Sequence, residues 1–180
     1  GGHPHRQAAG RDRLLGEPDL PDRHLSVGGD ALVEAVAGAA EKTVVVLNTG
    51  TGVEMPWIDE VEAVLVTFYS GQAMGGAVAD LLTGKVNPSG KLSVTFPQRL
   101  ADVPGFLHYP GEHGRHIYGE GIHVGYRSYD LRQIEPLFPF GHGLSYTRFA
   151  IESPRISAAR IGPAGTVEVR VTVRNTGARA

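Results

Sequence analysis

The 180-residue chain has no cysteine. This excludes disulfide bridges, thiolate nucleophiles and cysteine-bound metal, and it fits a reducing or an oxidising compartment equally. Positive charge is not in excess either: 17 basic residues stand against 19 acidic ones and no basic face stands out. Nucleic acid is therefore not an expected partner. No apolar run approaches the roughly 20 residues that cross a bilayer, so no membrane partner is expected. What is abundant is glycine and proline, 25 and 12 residues, in a chain whose 41% hydrophobic and 20% charged content is ordinary for a domain with one core. The surplus marks a loop-rich protein, and loops are where sites gather.

The ends differ from the middle. Residues 1–25 hold His3, His5 and His24 with four arginines and three prolines, and show no apolar period. No apolar stretch follows the charges, so this is not a signal peptide, and residues 1–29 read as an irregular leader. His3 and His5 lack a third ligand at metal-binding spacing. At the other end, Thr166–Val173 alternates with Val167, Val169, Val171 and Val173 on one side. That is the period of a half-buried strand, and Asn175-Thr176-Gly177 follows as a turn. With no later residues to supply a partner strand, the chain is expected to break off inside a second, all-β unit.

Between them, residues 30–40 read as a helix with Leu32, Val33 and Val36 on one stripe and Asp30 at its start. Thr43–Asn48 and Ala63–Phe68 are continuous β-branched runs of the kind found in strands buried on both faces. Pro56-Trp57 opens a short helix between them. A helix over 73–83 follows, with Gly84 as its stop, then the turn Asn87-Pro88-Ser89-Gly90 and a third strand, Lys91–Phe96, ended by Pro97. This alternation predicts an α/β domain: a three-layer sandwich with a mostly parallel sheet and helices on both faces. Ligands of such sheets sit beyond the carboxyl ends of the strands, here at 48–53, 68–72 and the loop after Phe96.

From Asp102 to Phe149 regular periodicity disappears and functional groups concentrate. His108, His113, His116, His123 and His142 lie here with Glu112, Glu120, Asp130 and five of the six tyrosines. Their spacing matches no zinc pattern, so no metal is expected, and nothing points to a cofactor. Arg127, between Tyr126 and Tyr129, reads as a buried arginine satisfied by carboxylates and carbonyls. Asn48-Thr49-Gly50-Thr51-Gly52 lacks the spacing of a phosphate loop, and Gly141-His142-Gly143-Leu144-Ser145 is not a nucleophile elbow. Taken alone, these residues give no reaction.

Read in order, however, five blocks resemble one family. They are Val44–Gly50 with Val53-Glu54-Met55-Pro56-Trp57; Tyr69-Ser70-Gly71-Gln72; Ala79–Leu92 with Thr95-Phe96-Pro97; Tyr118–Asp130; and Pro136–Phe149. The series is similar to the C-terminal α/β-sandwich domain of family 3 glycoside hydrolases, the β-glucosidase and β-xylosidase group, over residues 30–149. The resemblance implies that residues 150–180 begin a fibronectin type III-like domain. It also implies a preceding (β/α)₈ barrel, absent from this chain, that carries the nucleophilic aspartate. Retaining cleavage needs two carboxyls about 5–5.5 Å apart, so the isolated chain is expected to be inactive. It would be a fragment of a β-glucosidase-like enzyme acting on β-glycosides or oligosaccharides, supplying one wall of the active site.

In the family the general acid/base is a glutamate in an E-G-x-D-R stretch just before the first helix. Here Glu17 is the nearest counterpart, with Asp19 or Asp22 and Arg23 echoing the D-R pair. A second register on Gly10-Arg11-Asp12-Arg13 places Ala9 where the acid belongs. Glu120 has the right chemistry, but its counterpart in the family motif is structural. Ala73 and Ser93 depart from the common glutamate and proline of the family. The rival to a hydrolase fragment is a non-catalytic carbohydrate-binding or structural module.

Overall fold

The computed structural model describes residues 27–179. Helix α1, Val27–Ala39, leads into strand β1, Val44–Leu47, and a single 3₁₀ turn at Ile58–Glu60 precedes strand β2, Ala63–Val66. The two strands are parallel neighbours, with Val44 opposite Ala63 and Leu47 opposite Val66. Helix α2 is Met74–Leu82, and it ends where the sequence puts a glycine stop. Gly84 takes a left-handed φ of 71° and donates its N–H to the Leu81 carbonyl. A short helix α3, Tyr126–Arg132, and an antiparallel hairpin of β3, Phe149–Ile156, and β4, Val169–Asn175, complete the described chain.

The core is small and sits beside β1. Leu47, Val53, Met55, Trp57 and Phe96 are buried, with Val33, Val45, Val64, Leu92 and Phe138 among the residues packed against them. Trp57 has no exposed surface, and its indole N–H donates to Asp30 Oδ1 at 2.7 Å. Asp30 lies in the first turn of α1, so the acid expected at that helix start ties the helix to the strand-connecting segment.

Three expectations are corrected. The parallel sheet has two strands among the described residues, and Lys91–Phe96 is not a strand. That segment exchanges backbone bonds with 137–142 only at its ends: Leu92 with His142 and Gly141, and Phe96 with Leu137 and Phe138. Between those ends the facing chain turns, with His142 donating its N–H to the Pro139 carbonyl at 3.0 Å and Gly141 at a φ of 83°, so no continuous ladder forms. The helix stripe is also narrower than its period implies, since Leu32 and Val36 are exposed and only Val33 packs on the core. Finally, β4 does have a partner, and it comes from upstream. Both faces of the resulting hairpin are open, with every β4 residue exposed.

Because Trp57 is the one tryptophan, its fluorescence reports unfolding of the core directly. Asp30→Ala leaves the buried indole N–H without that acceptor. It is expected to lower stability by about 1–3 kcal/mol, read as a lower urea midpoint at unchanged slope.

Candidate functional site

The carboxyl ends of β1 and β2 lie side by side and open into two short loops, 48–53 and 68–72. Thr67 binds both to the sheet edge: its N–H donates to the Leu47 carbonyl at 2.9 Å and its hydroxyl to the same oxygen at 3.2 Å. The second loop is closed by Ser70 Oγ on the Thr67 carbonyl at 3.0 Å, and the first by Thr49 Oγ1 on the Thr51 carbonyl at 3.0 Å. Asn48 Nδ2 reaches Met74 Sδ at 3.5 Å, fixing the first loop to the start of α2. Phe68 has φ of 51°, in the left-handed region that an aromatic residue rarely enters. Its side chain packs on the core, while the next residue, Tyr69, is 82% exposed. The Tyr69 ring lies against Gly50: a Cβ there would fall 2.6 Å from the ring, so only glycine admits it in place.

A second cluster is structural. Asn87 receives the amide N–H of Tyr146 at 2.8 Å and the hydroxyl of Ser145 at 3.1 Å, while its own amide donates to Ser145 Oγ at 3.0 Å. Tyr146 Oη donates to the Leu81 carbonyl at 2.9 Å, and Lys91 Nζ to the Gly143 carbonyl at 2.7 Å. His142 stacks on Phe138 with centroids 5.1 Å apart, and Phe140 stacks on Tyr126 at 5.3 Å. The glycine- and proline-rich turns at 87–90 and 138–146 are thus one interlocked unit that closes off the end of α2.

The sequence-predicted candidates fare differently. Glu17 lies outside the described residues, as do His3, His5, Ala9, Asp19, Asp22 and Arg23. Glu120 is half-buried, and its Oε2 is buried with no hydrogen-bond partner among the described residues. His116 sits between Tyr109 and Tyr118, with ring centroids 6.4 and 4.9 Å away. Among the described residues, no three His, Asp or Glu side chains are grouped to hold a metal ion. Arg127 is not buried: its guanidinium lies in the open over the Tyr126 ring, 5.4 Å from the centroid. A helix of seven residues puts Ser128 and Tyr129 inward and turns Arg127 out.

Comparison with known proteins matches residues 7–146 to the family described as glycosyl hydrolase family 3 C-terminal domain. The chain belongs to that family. It is 48% identical over 172 residues to the thermostable beta-glucosidase B of Acetivibrio thermocellus, covering 89% of this chain and 23% of that protein. A beta-glucosidase of Rhizobium radiobacter is 49% identical over 166 residues, covering 90% and 20%. Among solved structures, beta-glucosidase 3B from Thermotoga neapolitana in complex with glycerol has a TM-score of 0.78 at 39% identity, covering 91% of this chain and 23% of that one. DesR, a beta-glucosidase from Streptomyces venezuelae in complex with D-glucose, has a TM-score of 0.77 at 47% identity, covering 88% and 20%. The chain thus spans between a fifth and a quarter of the length of these relatives.

Within this family 3 domain the buried carboxylate that the sequence did not disclose is Asp102. It is 3% exposed and takes a forked pair of hydrogen bonds from Arg99, at 3.2 and 2.8 Å. Arg132 Nη1 donates to the Asp102 carbonyl at 3.1 Å, which ties α3 to the 100–102 turn. Tyr129 lies close enough to feel both charges. Burial raises its pKa above the usual tyrosine value, Asp102 raises it further and Arg132 opposes. A phenol that ionises later in the folded than in the unfolded chain supports the fold fully below the unfolded value and withdraws that support as pH climbs past it. Stability is therefore expected to fall from about pH 10 upward, and Tyr129→Phe to flatten that fall. Urea midpoints measured on either side of that pH check the difference in slope.

Proposed function

We propose that the chain is the α/β part of a β-glucosidase that hydrolyses terminal β-linked sugars with retention. The observation that carries this reading is alignment across 89% of the chain with a protein named as a beta-glucosidase, at 48% identity. Relatives four to five times longer leave room for the nucleophile-bearing (β/α)₈ barrel, and this chain then contributes one wall of the cleft. The family match starts at residue 7 and so takes in Glu17. In this reading residues 1–29 include the acid/base loop, 30–149 form the three-layer sandwich, and 150–180 open a fibronectin type III-like domain.

The chemistry divides between the two parts. The barrel carboxylate attacks the anomeric carbon, and the Glu17 carboxyl protonates the departing glycosidic oxygen. In the second half Glu17, now a carboxylate, takes a proton from the water that displaces the enzyme ester. The 180-residue chain by itself has no nucleophile for the first half and turns nothing over.

The test uses the polypeptide translated from the whole reading frame. Glu17→Gln is expected to cut cellobiose turnover by on the order of 10²–10⁴-fold. Azide is expected to restore turnover of an aryl glucoside whose leaving group needs no protonation. Unchanged turnover in Glu17→Gln removes Glu17 from the role, and no aglycone release by the native polypeptide overturns the glycosidase reading.

A further inference from the structure

We propose that Tyr69 is a stacking platform for a pyranose ring, at a sugar-binding position built on the carboxyl edge of the parallel sheet. The proposal rests on the β-glycosidase reading for its ligand class, but its geometry stands on this chain alone. Tyr69 is 82% exposed, although an aromatic ring of this size gains most by being covered. It nonetheless lies against the neighbouring loop. The phenol end of the ring rests on Gly50, in a gap that any other side chain would fill, and Ser70 pins the loop from behind. Phe68 faces the core with Val64 and Val66, and has a left-handed φ of 51° where the chain leaves β2 for the loop that carries Tyr69. Strain of this kind collects where a binding surface must be held ready.

The ligand class follows from what surrounds the ring. Loops 48–53 and 68–72 contain no charged residue, so neither a phosphate nor a carboxylate ligand finds a counterion within them. They do carry the exposed side chains of Asn48, Thr51, Ser70 and Gln72, of which Asn48 and Ser70 already donate to Met74 and to the Thr67 carbonyl and keep their oxygens as acceptors. An open aromatic ring with neutral donors and acceptors beside it suits a molecule with an apolar face and a hydroxyl rim. A β-pyranoside has that shape: its axial C–H bonds form the face and its equatorial hydroxyls the rim. The position also agrees with the general rule that α/β sheets bind ligands beyond the carboxyl ends of their strands.

The 180-residue chain is titrated with methyl β-glucopyranoside and cellobiose, and binding is read by saturation-transfer NMR. Tyr69→Ala is expected to weaken binding about five- to tenfold, while Tyr69→Phe keeps it. Gly50→Ala pushes the ring aside without removing it and is expected to weaken binding as well. Sorbitol, an open-chain polyol with no flat C–H face, is expected not to compete. The proposal is overturned if Tyr69→Ala binds the glucoside as well as the native chain does, if Gly50→Ala leaves affinity unchanged, or if sorbitol competes equally. A whole-frame polypeptide that hydrolyses aryl glucosides, paired with a chain whose binding ignores Tyr69, removes the platform alone. Tyr69-dependent binding without hydrolysis by the whole-frame polypeptide removes the glycosidase reading and keeps the platform.

Discussion

Phe96 is the residue through which the loops of this protein reach its core. It has no exposed surface, its N–H donates to the Phe138 carbonyl at 2.9 Å, and its own carbonyl accepts from Leu137 at 3.0 Å. The two phenyl rings meet edge to face, 6.5 Å apart. A parallel pair of four-residue strands offers too little surface to bury a core unaided. The missing wall is built from irregular chain: Val53, Met55 and Trp57 from the loop after β1, and Phe96 with Phe138, which pair across an isolated antiparallel bridge. Buried backbone in such segments has to find partners one bond at a time. The glycine and proline richness is therefore part of how the core is assembled and not a sign of a loose surface.

That arrangement explains which elements the sequence disclosed. α1, β1, β2 and α2 lie within a few residues of where period and turn residues put them, because each is decided by local pattern. Lys91–Phe96 has the apolar alternation of a strand, but a strand exists only with a partner, and the turn at 139–142 in the facing segment denies it one. α3 was invisible for the opposite reason. Tyr126-Arg127-Ser128-Tyr129-Asp130 has no apolar stripe, and the helix owes its place to buried Tyr129 and to the Arg132 contact with Asp102. The same blindness to tertiary contacts put Arg127 inside, when the buried charge is Asp102 and its guanidinium partner is Arg99.

The site was legible as a place more than as a set of residues. The edge beyond β1 and β2 follows from two β-branched runs, and their alternation carries on past β2, with Val64, Val66 and Phe68 toward the core and Tyr69 on the other side. Alternation does not tell that Tyr69 stays uncovered, which depends on the tertiary fold. The family blocks behave similarly. Their order identifies the domain, but only folding brings Asn87 to Ser145, 58 positions along the chain, and shows why asparagine serves there. A side chain that both donates and accepts can hold a hydroxyl and a backbone amide at once.

The hairpin carries one irregularity with a wider consequence. Between Glu152 and Arg155 the pairing slips by one residue, so that Ile151 and Ile156, an odd number apart, both face valines on one side. Ser153 absorbs the extra residue with φ of 51°, and Pro154, which has no N–H, falls where the ladder is already broken. The bulge thus gathers Ile151 and Ile156 onto one side of the hairpin, opposite Val173 and Val169.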